Sequence, residues 1–133
     1  MINGRAKGHA FERQIIKIFQ EEFGECADHL KRVLDQYQQS GRADIEFYNL
    51  RIECKRYAKG AWHHPEWWRQ CCNSTSNDLI PVLIYKFDRH PIRCVFRLCD
   101  IGWGGGFYPS SDASTATTDL QDGIMVMRDL LEF

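Results

Sequence analysis

Ala43-Asp44-Ile45-Glu46-Phe47-Tyr48-Asn49-Leu50-Arg51-Ile52-Glu53-Cys54-Lys55 contains two short runs in which charged and apolar residues alternate. A period of two marks a strand with one buried and one polar face. The break at Asn49-Leu50 predicts a two-residue hairpin turn. That turn would set Tyr48 opposite Arg51, Glu46 opposite Glu53 and Asp44 opposite Lys55, with all six on one face. Asp44 and Glu53 would then be diagonal neighbours at a Cβ separation of roughly 7–8 Å. Two carboxylates can span that distance around a shared cation, and Lys55 lies beside them on the same face.

On the N-terminal side, Phe11, Ile15, Ile18, Phe19 and Phe23 recur at spacings of three and four with no proline. This predicts an amphipathic helix over 5–23, ended by Gly24. At about 100° per residue, Glu12 falls between Phe11 and Ile16, inside the arc that faces the core. An inward carboxylate is costly unless it is paired or coordinates a cation. A helix packed over the hairpin's polar face would therefore add a third acid to Asp44 and Glu53. Between helix and hairpin, 29–34 reads as a short strand and 35–41 as a polar loop.

On the C-terminal side, 58–64 reads as a loop and Pro65 as the first turn of a helix to about Ser76, with Trp67, Trp68, Cys71 and Cys72 on its apolar side. Residues 79–87 are nearly all apolar, as in a central strand buried on both faces. A turn at 88–91 leads to a strand over 92–98. Residues 102–106 are glycine-rich loop and 110–119 a polar, Ser/Thr/Ala-rich loop. A short strand over 123–127 and the start of a helix over 128–133 end the chain. No internal repeat appears. The order of elements predicts one α/β domain with a mixed sheet, its core at about 4–100, a polar loop at about 102–119 and a short tail at 120–133.

Composition agrees: 133 residues, 44% hydrophobic and 26% charged, are an ordinary globular domain's worth. No run approaches the ~18 apolar residues of a membrane span. A charged N-terminus without an apolar leader core points to the cytoplasm, where six cysteines stay reduced. None forms a C-x-x-C pair, so small buried cysteines are the simpler reading. His63 and His64 with Cys71 and Cys72 make only an irregular zinc set. Residues 1–99 carry 16 Lys+Arg against 12 Asp+Glu, whereas 100–133 carry one Arg and six acids. Basic side chains thus accompany the acidic motif, a distribution that permits binding to a phosphate backbone.

Convergent carboxylates with a lysine suit phosphodiester hydrolysis, in which a hard divalent cation polarises the phosphate and activates water. On the hairpin alone, a solvated sheet face with charges paired across strands is the better reading, because alternating charged residues are common on half-exposed strands. The inward Glu12 favours the first reading.

Motif order narrows it. Gly4-Arg5-Ala6-Lys7-Gly8, Phe11-Glu12-Arg13, Ser40-Gly41-Arg42-Ala43-Asp44-Ile45 and Ile52-Glu53-Cys54-Lys55 follow one another, with Gln70 on the next helix and a buried strand at 80–86. Over about 4–90 this resembles the PD-(D/E)XK nucleases, and most closely the archaeal-type Holliday junction resolvases. The resemblance implies a restriction-endonuclease-like core, a central mixed sheet flanked by helices. It makes Glu12, Asp44, Glu53 and the Cys54 carbonyl ligands of Mg²⁺, with Mn²⁺ a substitute. Lys55 is the catalytic lysine, and Gln70 reaches the water or the scissile phosphate. Arg5, Lys7, Arg13, Arg42 and Arg56 lie near DNA. A homodimer making symmetric nicks in a four-way junction is also implied. Ala43 replaces the family's proline, the 44–53 interval is short, and Glu46 could compete as a ligand. The same core also serves nucleases that cut duplex or flapped DNA, and catalytically silent DNA-binding modules.

Two features stay open. Trp62, Trp67 and Trp68 could stack on unpaired bases, but Trp67 and Trp68 better fit core or dimer contacts on an amphipathic helix, which leaves Trp62, on its loop, as the exception. Lys86, Arg89, Arg93 and Arg97 fit a phosphate-binding strip or a solvated face.

Overall fold

A computed structural model describes residues 4–33, 43–76, 78–101 and 114–133. Helix α1 (Gly4–Phe23) gives way at Gly24, with φ 57, to a 3-10 turn over Gly24–His29. Strands β1 (Leu30–Arg32), β2 (Ile45–Phe47) and β3 (Leu50–Tyr57) follow, then helix α2 (Pro65–Asn73) and strands β4 (Ile80–Phe87) and β5 (Arg93–Arg97). A short helix α3 (Leu98–Ile101), strand β6 (Thr115–Asp119) and helix α4 (Leu120–Leu130) complete the described chain. Among the described residues six strands form one sheet in sequence order. Only β3 and β4 run parallel, and α2 is the crossover between them. The result is the mixed sheet flanked by helices that the sequence predicts, a restriction-endonuclease-like fold.

The alternation of side chains sorts the core into two layers. Ile45, Phe47, Leu50, Ile52, Cys54, Val82, Ile84, Cys94 and Phe96 face α1 and α4, where Phe11, Ile15, Phe19, Phe23, Ile124 and Met127 close over them. Leu83, Tyr85, Phe87 and Val95 face the opposite way, against Trp68, Cys71 and Cys72 of α2. Strand β4 is therefore apolar at every central position because both its faces are covered. Helix α2 starts as expected, with Pro65 in its first turn and the His64 Nδ1 accepting from the Glu66 N–H at 3.1 Å. All six cysteines are free, Cys26 and Cys99 half-buried and the other four buried. No helix among the described residues is long and apolar enough to cross a membrane.

The C-terminal expectation needs correction. Thr115–Asp119 is not polar loop but edge strand β6, paired with β5 from Arg93↔Asp119 to Arg97↔Thr115. The stretch read as a strand over 123–127 lies inside α4. Two local signals decide this. Asp119 Oδ1 accepts from the Asp122 N–H at 2.8 Å, which caps a helix. Ile124 and Met127, three apart, then share one buried side, as helical spacing demands. Gly123 permits the docking, since a Cβ there would stand 2.6 Å from Cys94 Sγ.

Candidate active site

The β2–β3 turn consists of Tyr48 and Asn49, one residue earlier than the expected Asn49-Leu50. Burial decides the matter: Leu50 is fully buried and pairs with Phe47, whereas a turn would have exposed it. Tyr48 instead takes the left-handed φ of 55 and stacks at 4.3 Å on His29. The register moves by two, so each side chain keeps its face but changes partner. Glu46 lies opposite Arg51, at 3.6 Å, rather than opposite Glu53. Continued by one position, the same register aligns Asp44 with Glu53 directly rather than diagonally.

These acids do not form a solvated face. Asp44 is buried, and its Oδ2 accepts from the Cys54 N–H at 2.7 Å. Glu53 lies under α2, in hydrogen-bond contact with Asp44, and Cys71 of α2 meets its backbone. Burial, then the Asp44 charge, raises the Glu53 carboxyl well above the ordinary carboxyl range. Lys55 Nζ, 4.0 Å from Glu53 Oε1, acts in the opposite direction.

Glu12 is buried, as its helical position requires, but α1 does not pack over the face carrying Glu53 and Lys55. It covers the opposite face, where the apolar members of β2 and β3 need a partner. Glu12 nevertheless feels Asp44: burial, then the Asp44 charge, lifts its carboxyl from 4.5 to about 7. Asp44 is thus the link between the other two acids. Arg32, which the sequence reading missed, holds Glu12, with Nε 3.6 Å from Oε1. Its Nε and Nη2 are buried without a hydrogen-bond partner among the described residues. The available signal was Leu30-x-Arg32, which puts Arg32 on the same side of β1 as an apolar residue; the register sets Arg32 against Ile45.

The remaining expected residues scatter. Gln70 is exposed on α2, next to Cys71. Arg13 is exposed on α1 and its charge helps to lower the Glu12 carboxyl. Lys7 and Arg56 converge on Asp88, Lys7 at 3.4 Å and Arg56 in a closer contact. Arg97 is bound to Asp100 at 2.8 Å and is structural. The Arg5 side chain and Arg42 lie outside the described residues.

Among the described residues no three of the His, Cys, Asp and Glu side chains are gathered closely enough to enclose a metal ion. The donors present suit one nonetheless. Asp44 and Glu53 are hard oxygen donors in mutual contact, and both Glu53 and Glu12 resist ionisation even with Lys55 and Arg32 beside them. Glu12 is turned to Arg32 and would complete the set by leaving it.

Residues 3–103 match the family described as Phage putative PDDEXK endonuclease, a span that contains Glu12, Asp44, Glu53, Lys55 and Gln70. No curated protein and no solved structure matches the chain. With most of its 133 residues matched, the chain belongs to this family of phage PDDEXK endonucleases.

Proposed function

We propose that the protein is a Mg²⁺-dependent, structure-selective DNA endonuclease of the Holliday junction resolvase type, acting as a homodimer and leaving 5′-phosphate ends. The observation that carries the hydrolytic part is the Asp44–Glu53 contact, taken out of water under α2 with Lys55 beside it. The junction specificity rests on the order of motifs from Arg5 to Gln70, and dimerisation on the need for two sites to make paired nicks.

Asp44 and Glu53 would hold the cation, with Glu12 and the Cys54 carbonyl as further donors and Mn²⁺ as a substitute for Mg²⁺. When bound, the ion supplies Lewis-acid stabilisation of the phosphate and a more acidic water. The chain's own groups do the rest. The Cys54 N–H fixes the Asp44 carboxylate, so this donor is oriented before any ligand arrives. Lys55 orients the attacking water and offsets the negative charge that grows on the phosphate oxygens. Water attacks phosphorus in line with the departing 3′ oxygen. Gln70, on the helix above Glu53, reaches the water or the phosphate, while Arg5, Lys7, Arg13, Arg42 and Arg56 hold the flanking backbone.

The test is incubation with Mg²⁺ and labelled four-way junction, linear duplex and flap substrates. Paired nicks confined to the junction are expected. Equal cutting of linear duplex would refute the junction specificity, and the absence of metal-dependent cutting would leave a DNA-binding module.

A further inference from the structure

Lys55, Tyr85 and Arg93 are register neighbours across β3, β4 and β5. Adjacent strands lie about 4.8 Å apart, so the Cα positions of Lys55 and Arg93 are separated by about 10 Å, on the face that carries Glu53. Above the row stands Trp62. Its ring meets Tyr85 edge-on at 6.4 Å, and the Arg93 guanidinium lies over it, 5.9 Å from its centre. The loop bearing Trp62 is tied down at Gly60. There φ is 133, and a Cβ would stand 2.5 Å from the Phe87 ring.

A tryptophan that merely sealed Tyr85 would be buried. Tyr85 is already 1% exposed, with His63, Trp67 and Phe87 around it, yet Trp62 remains 58% exposed. On the same face Tyr57, two residues beyond Lys55 on its strand, is 47% exposed and lies flat on Trp67 at 4.9 Å. Large open aromatic surface interleaved with cations is what a nucleic acid strand with unpaired bases needs. The rings stack on bases and the cations meet phosphates. A fully paired duplex offers no base face for such a ring.

We propose that Trp62, pinned by Arg93 at the end of the Lys55–Tyr85–Arg93 row, stacks on an unpaired base of the DNA strand whose phosphate lies at Lys55. The site would thereby read a base unstacked at a branch point, at the centre of a four-way junction as at the foot of a flap. This rests on the nuclease reading for the phosphate at Lys55 and adds the feature of the substrate that is recognised.

The test measures binding by the full chain in EDTA, so that it does not depend on cleavage. The probes are a fully paired duplex and the same duplex with a short 2-aminopurine-labelled flap. Trp62→Ala should weaken flap binding roughly 5- to 100-fold, the range for loss of one base stack, and leave duplex binding unchanged. The wild type should quench 2-aminopurine and Trp62→Ala should not, whereas Trp62→Phe should recover most of both signals. Equal effects on the two DNAs, or no effect on either, would overturn the proposal. Failure to cut any substrate with Mg²⁺ would instead overturn the nuclease reading and leave a positive stacking result standing.

Discussion

Burial, and after it the charge of Asp44, raises the cost of ionising both Glu12 and Glu53, and this sets a pH dependence that removing the Asp44 charge should weaken. The folded-state Glu12 carboxyl titrates at about 7 against 4.5 ordinarily, so the fold binds its proton more tightly than the unfolded chain does. Below 4.5 both states are protonated and there is no penalty. As pH rises through 4.5 to 7 the unfolded chain ionises first, and the metal-free fold loses roughly 3 kcal/mol from this group. Glu53 contributes with the same sign. For a domain of this size the loss corresponds to a fall in Tm of roughly 10 °C between pH 5 and pH 8.5. His63 opposes it, since burial lowers its pKa and penalises the fold at acid pH. The comparison with Asp44→Asn cancels that contribution, because both proteins keep His63. Asparagine retains an oxygen for the Cys54 N–H while removing the charge. The variant should therefore melt higher than the wild type in EDTA at pH 8.5 and close to it at pH 5. Circular dichroism melts at the two pH values measure this. A wild-type-to-variant difference that does not change with pH would refute the assignment of Asp44 as the link between the acids. Mg²⁺ at pH 8.5 should raise the wild-type Tm and leave the variant's unchanged.

Lys55→Ala should reduce metal-dependent cleavage by at least ~100-fold while DNA binding stays near the wild-type level, as read by gel cleavage and fluorescence anisotropy. A similar loss of binding would mean that Lys55 holds substrate rather than assisting the reaction. Arg32→Gln should tighten Mn²⁺ binding several-fold in calorimetric titration, because the guanidinium competes with the ion for Glu12; weaker binding would make Arg32 a support of the metal site. Gly123→Ala forces a Cβ to within 2.6 Å of Cys94 Sγ and should cost about 1–3 kcal/mol in urea unfolding. Cleavage at 25 °C should be unchanged, and Cys94→Ala should restore part of the loss.

The elements legible in the sequence are those whose signal is local and repeated. Phe11, Ile15, Phe19 and Phe23 draw one stripe that only a helix can bury. Pro65 after His64 starts α2 with residues that act on their own backbone. The parity of 43–55 separates a buried from a polar face irrespective of the turn, so Asp44, Glu53 and Lys55 stay on one face although the register moved by two. What was not legible depends on partners distant in sequence. The turn position hinged on Leu50 finding a buried site beside Phe47. Strand β6 carries threonines that acquire meaning only from β5, and α4 reads as an apolar strand until Asp119 caps it against that edge. Arg32 belongs to a three-residue strand whose direction cannot be known before β2 is placed.

The location of Glu12 follows from this same division of labour. Its neighbours Phe11 and Ile15 must cover the apolar side of β2 and β3, so α1 is bound to the face that Glu53 does not occupy. A carboxyl carried there could remain an isolated buried acid, which burial alone would neutralise. Arg32 opposes that with a positive charge beside Glu12, whereas Asp44 adds a second negative charge, so that a cation placed between them would relieve both acids. Asp44, Glu53, Glu12 and Arg32 come from the approach to β2 and from β3, α1 and β1 respectively. No short peptide from this chain reproduces their placement, so ion binding should be coupled to the whole fold rather than to the hairpin that first suggested it.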